Sequence, residues 1–185
     1  MKKIRVATTL LMAGVLFTGS VFAAGQPNYQ TELNLQAEAS KLLKDVHSRA
    51  IELTREAERL DSYTRGSLSR ESHGAQLTLV KDHINAIGLR LELLQAMRSQ
   101  TAPWQQDAIA SVVPVAANLA AHTDAAILHF NRSGNVLWHP VYTDHLRAIA
   151  DHSDRVKDTI DVHLAMASTA DKLERLRDRA NDLDN

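Results

Sequence analysis

The chain has 185 residues, 44% apolar and 23% charged, with no cysteine, seven Gly, four Pro and nine His, and a formal charge of −1 at pH 7 with His neutral. These counts suit one core of ordinary size and exclude a disordered or disulfide-stapled chain, a Cys-ligated zinc or iron–sulfur site, and covalently attached c-type haem. No basic stripe with interleaved aromatics is present, which argues against nucleic acid as a partner.

At the N-terminus, Lys2, Lys3 and Arg5 precede an apolar run from Val6 to Phe17 and then Val21-Phe22-Ala23. A charged segment, an apolar segment and a small-residue cleavage site predict a secretory signal peptide over 1–23, cut after Ala23, and a periplasmic or secreted protein. The competing reading is an uncleaved anchor, since Val6 to Ala24 is barely long enough to span a bilayer. No cysteine follows for lipid attachment, and no later segment reads as a second span. Removing residues 1–23 takes away three basic and no acidic residues, so the formal charge falls to −4. All nine His stay behind, and their full protonation carries the charge to +5.

Beyond a flexible lead-in expected over 24–33, punctuation around Gly66, Pro103 and Gly134 with Pro140 divides the chain into four long segments with helical apolar spacing. The first, about 31–61, carries Ala39, Leu42, Val46, Ala50, Leu53, Ala57 and Leu60. The second, about 69–98, carries Leu77, Val80, Ile84, Ile87, Leu91 and Leu94. The third, about 103–131, carries Ala108, Val112, Leu119, Ala126 and Phe130, flanked by Ile109, Val113, Ala116 and Ile127. The fourth opens on Pro140, whose missing N–H costs little in a first turn, and carries Tyr142, Leu146, Ile149, Val156, Ile160 and Leu164.

Short connections imply antiparallel neighbours, so the predicted fold class is all-α: an antiparallel up-down-up-down four-helix bundle over 34–167. After Ala167 the stripe drifts to Leu173, Leu176, Ala180 and Leu183, which predicts a break near Ser168 and a polar helical C-terminal tail over 168–185. Gly88 and Pro114 lie level across the second and third helices, so a close approach at Gly88 facing a kink at Pro114 is expected. A second apolar stripe on the second helix, Leu79, Ala86, Leu93 and Met97, is the candidate interaction surface for a homodimer or an unknown protein partner.

The histidines are the one constellation that bears chemistry. His73 falls in the core stripe of the second helix. His145, His152 and His163 share a flank of the fourth helix, and His122 and His129 share the flank of the third that faces it. Residues equidistant from the connection near residue 137 then pair His129 with His145 and His122 with His152, in two rungs about 10 Å apart. The first rung is richer: His73 lies level with it, Glu58 or Asp61 is near, and Tyr63, Phe130, Trp138, His139 and Tyr142 share that end. His73, His129 and His145 are therefore candidate ligands for Zn, Cu or Ni, or axial ligands for non-covalent haem b. His122 and His152 form a second, poorer pair without an obvious third ligand. Against these stands the plainer expectation of half-exposed or locally satisfied histidines and no cofactor.

Other motifs carry no chemistry. Asp144, Asp151, Asp154, Asp158 and Asp161 line the outer face of the fourth helix at a spacing that cannot wrap one calcium ion. No serine has the strand–turn–helix setting of a nucleophile elbow. The stretch Ser72-His-Gly-Ala-Gln-Leu-Thr-Leu-Val-Lys-Asp-His-Ile-Asn-Ala-Ile-Gly88 and the helix start Pro103-Trp-Gln-Gln-Asp-Ala-Ile109 resemble those of exported bacterial four-helix proteins to which no activity is assigned. The resemblance implies a fold and a compartment and carries no functional residue across. The expected function is that of a cell-envelope structural or protein-interaction module, not an enzyme. The alternatives are a metal- or haem-binding bundle and a pH-responsive envelope protein, since protonated imidazoles in close contact repel.

Overall fold

The structure, a computed structural model, describes residues 29–66, 69–132 and 139–183; the expected signal peptide and Trp138 lie outside them. Four helices make up the described chain: α1 (Tyr29–Thr64), α2 (Arg70–Met97), α3 (Pro103–Arg132) and α4 (Pro140–Leu183), with a short 3-10 turn at Arg98–Gln100. They form a helical bundle, with no strand among the described residues.

Local chemistry sets the helix starts. Ser69 caps α2, its hydroxyl accepting from the Ser72 N–H at 3.2 Å. At the start of α3 the Gln105 side chain turns back to accept from the Ala102 N–H at 2.9 Å, half of a capping box. The same buried amide donates to the Gln36 carbonyl at 2.7 Å and the Ser40 hydroxyl at 2.8 Å, tying α3 to α1. Pro140 opens α4 where its missing donor is harmless, and the Tyr142 and Thr143 N–H groups bond to the His139 carbonyl.

One continuous core runs through the bundle and takes its side chains from all four stripes, with Leu43, Leu53, Leu60, Ile87, Leu94, Ile109, Leu119, Leu146, Ile149 and Ile160 wholly buried. Each such side chain contributes about 1.5–3 kcal/mol by leaving water. Leu43 fills the place expected of Leu42, which lies half-buried at the seam between α1 and α2. Polar pairs mark the register that packing sets. Gln76, His83 and Arg90 of α2 meet Glu56, Glu52 and Asp45 of α1, and Arg147, Asp154 and Asp161 of α4 meet Asp61, Thr54 and His47 of α1. Along each helix pair the contacts step in opposite senses.

Five further sequence expectations need correction. Helix α1 starts at Tyr29, so residues 29–33 of the expected lead-in are helical. Helix α4 runs through Ser168 without a break, because no Gly or Pro interrupts it there, although every described side chain over 168–182 is exposed. Met97, assigned to the outward stripe of α2, packs partly against the core at the helix end. Helix α3 is long and apolar enough to meet a membrane-span criterion, because its outer face carries Ala110, Ser111, Ala117 and Ala121 instead of charges; in the bundle its inner face joins the core.

The fifth concerns glycine. Beyond the local backbone of its own helix, nothing lies within 4 Å of where a Cβ on Gly88 would sit, and α3 continues through an exposed Pro114. The close approach occurs at Gly74, where a Cβ would meet the Phe130 ring at 3.2 Å. Gly88→Ala is therefore expected to raise stability by about 0.5–1 kcal/mol through the unfolded state, read as a higher urea midpoint; a lower midpoint would mean that the backbone approaches something there after all.

Candidate functional site

Two chains of rings in contact run along the seam that α3 and α4 share with the start of α2. In the shorter one His122 lies between two rings of α4. Its Nδ1 is 3.2 Å from Nδ1 of His145, and its ring stacks on His152 with centroids 5.3 Å apart and an interplanar angle of 27°. In the longer chain Tyr63 meets His73 edge-on at 5.7 Å, His73 lies 6.3 Å from Tyr142, Tyr142 stacks on His129 at 5.5 Å, and His129 lies 5.4 Å from His139.

The expected histidines all belong to this region, but in a different grouping. His122 contacts His152 as expected and His145 as well, because its ring projects between two α4 positions that are two turns apart. The set His73, His129 and His145 does not form a shell. The Tyr142 ring stands between His73 and His129, and His145 is turned to His122. Neither carboxylate joins them: Glu58 is exposed, and Asp61 pairs with Arg65 at 2.9 Å and with Arg147 at 3.9 Å. Among the described residues no group of three or more His, Asp or Glu is arranged to hold a metal ion. Two histidines left aside by the sequence reading do face carboxylates, His47 at 2.9 Å from Asp161 and His83 at 3.6 Å from Glu52. The missing signal was Tyr142. Its apolar spacing marks it as a core residue and says nothing of its standing between two imidazoles.

The seam is polar and partly buried. Thr123 and Ser153 are buried and satisfied within their own helices, donating to the Leu119 and Ile149 carbonyls at 2.9 and 2.7 Å. By contrast His73 Nδ1, His129 Nε2, His152 Nδ1 and the Tyr142 hydroxyl are buried without a hydrogen-bond partner. Burial pushes the Tyr142 phenol up to about 12 against the opposing pull of Arg70. That guanidinium sits 4.2 Å over the Phe130 ring and donates to the Phe130 carbonyl. Burial lowers the pKa of His73, opposed by a hydrogen bond to the Tyr63 main chain. It lowers His129 too, helped by the neighbouring His139 and His145. It lowers His152 with help from His122 and Arg155, while Asp151 pulls the other way.

This arrangement disfavours the charged form of its imidazoles. No family model, curated protein or solved structure matches the chain.

The sign of the pH effect follows directly. In the unfolded chain these imidazoles titrate near 6.5, and in the fold they titrate lower, so below about 6.5 the unfolded state binds protons that the fold refuses. The stabilisation is complete above that value and is lost as pH falls through the folded-state values. The urea midpoint is expected to fall between about pH 7.5 and pH 5, and His129→Gln with His152→Gln should flatten that slope. A midpoint that is level over the range would show the imidazoles to be hydrated and free to charge.

Proposed function

We propose that this is an exported, non-catalytic helical-bundle module that works in the cell envelope by binding another protein. The observation that carries the reading is the outward side of α2. Leu79, Leu89 and Leu93 are 47%, 61% and 54% exposed, and with Leu42 of α1 the last two line an open groove of about 850 Å³ edged by Glu38, Lys41, Asp45, Arg90 and Glu92. An apolar floor with a charged rim is the usual anatomy of a protein contact. Leu79, Ala86 and Leu93 were expected on this surface, and Leu89 extends it toward α1.

A photo-crosslinking residue in place of Leu93, introduced in the native host, is expected to give a discrete protein adduct in the envelope fraction. The same residue in place of Asp144 should give none. The recovered chain should begin at Ala24 by mass spectrometry. No protein adduct at position 93, or adducts equal at both positions, overturns the reading.

A second reading, metal binding, is favoured by one distance. The 3.2 Å between the Nδ1 atoms of His122 and His145 is close to the edge of a tetrahedron around an ion with bonds of about 2.0 Å, so the two rings could chelate Zn²⁺ or Cu²⁺ with solvent completing the shell. Haem b, the other alternative, would draw its axial ligands from His73, His129 and His145. Added Zn²⁺ or Cu²⁺ should then raise the thermal midpoint of the protein and leave that of His122→Ala unmoved, and haemin should give a Soret band only if haem is the ligand. No rise with any of the three rejects this reading.

A further inference from the structure

The outer face of α4 carries an apolar seam that nothing in the bundle covers. Val162, Met166, Leu173, Leu176 and Ala180, with the one polar residue Thr169 between Met166 and Leu173, follow one another at alternating steps of four and three residues, and all are exposed, with Val162, Met166, Leu173 and Leu176 at 57–64%. The Thr169 hydroxyl is turned back to the Ala165 carbonyl at 2.8 Å. At 100° per residue they fall within roughly 80° of arc, on the side away from the buried Val156 and Ile160. Alternating steps of four and three make the heptad spacing of a coiled-coil seam, distinct from the wider stripe that faces a globular core.

The rest of the wheel shows why the tail does not fold back on the bundle. Beyond Ser168 the direction continuing the core stripe is occupied by Asp171, Asp178 and Asp182, so the core side has become acidic and the apolar residues lie opposite. The segment 168–182 is exposed on every side, and a free helix of about 15 residues is only marginally stable in water. A partner on the seam would supply the missing packing.

Charge selects the kind of partner. The positions bordering the seam carry Lys172 and Arg179 on one side and Arg177 on the other. A second copy in parallel would set Lys172 against Arg177, and an antiparallel copy would set Lys172 against Arg179, so self-pairing is opposed in both senses. A lipid surface is a poorer match, because the stripe is narrow and contains no aromatic residue.

We propose that the α4 seam docks an amphipathic helix of another protein whose apolar seam is flanked by Glu or Asp, forming a two-stranded coiled coil over Val162 to Ala180. This inference rests on the reading of the chain as an interaction module but uses a different face from the α2 groove.

The test uses two synthetic helical peptides of matched length with Leu at both seam positions, one with Glu and the other with Lys at the flanking positions, titrated into the purified protein by fluorescence anisotropy. The Glu peptide is expected to bind at least about tenfold more tightly than the Lys peptide, with affinity falling as salt is added. Leu173→Glu should abolish binding while leaving the circular dichroism and thermal midpoint of the bundle intact, and Leu93→Glu should leave binding unchanged. Equal affinity for both peptides, or no binding of the Glu peptide, overturns the proposal. It is also overturned by a dimer in sedimentation that Leu173→Glu dissociates, or by binding to phosphatidylglycerol vesicles that replaces the peptide preference. The crosslink at position 93 is read separately, so a failed α2 face and a failed α4 seam give different results.

Discussion

Burial of four apolar stripes in one shared core is the constraint on which everything else in this protein hangs. Each helix is too long to stand alone with its main apolar stripe in water, and the four stripes bury themselves against one another. Because the core runs as far as Ala39 and Ile160 on α1 and α4, it fixes the heights at which the flanks of neighbouring helices meet. The polar pairs along the seams, such as Arg90 with Asp45 and His47 with Asp161, decorate a register that packing sets and are individually weak at their exposure.

The histidine rings are a consequence of that register. With α3 and α4 held by Leu119, Ala126, Leu146 and Ile149, the flank positions 122, 129, 145 and 152 are brought into one partly dry layer. Neutral imidazoles stack there without penalty beyond their unpartnered nitrogens, whereas charged ones would be desolvated and would repel their neighbours. The core thus couples the protonation of several side chains to the integrity of the bundle. Asp45 responds in a separate window: the Arg90 guanidinium holds its carboxyl below the ordinary carboxylate range, so its contribution persists through the pH range where the imidazoles lose theirs.

The core also determines where the molecule is unfinished. On α2 the groove beside Leu89 and Leu93 lies outside the reach of any third helix, and on α4 the inner face turns acidic after Ser168 while the helix itself continues. A protein whose helices all end where its core ends offers little to a partner. This one leaves apolar surface on two faces, one a shallow groove and one a projecting seam, which call for different shapes of contact.

Much of the fold was legible in the sequence. The helical spacing, the punctuation at Gly66, Pro103 and Pro140, and the core positions on α2 and α4 follow from periodicities of a single chain, as does the placing of His73 inside and of His122 and His152 together. What periodicity does not carry is the rotation and height of one helix against the next to better than a turn. That finer fit put Leu43 inwards in place of Leu42, left open space at Gly88, inserted Tyr142 between His73 and His129, and turned His145 to His122. Helix identity and apolar face are properties of local spacing, so the sequence by itself determined them. Which imidazoles touch, and whether they form a metal shell or a ring stack, depends on side-chain interdigitation between helices, and only the tertiary structure decided it.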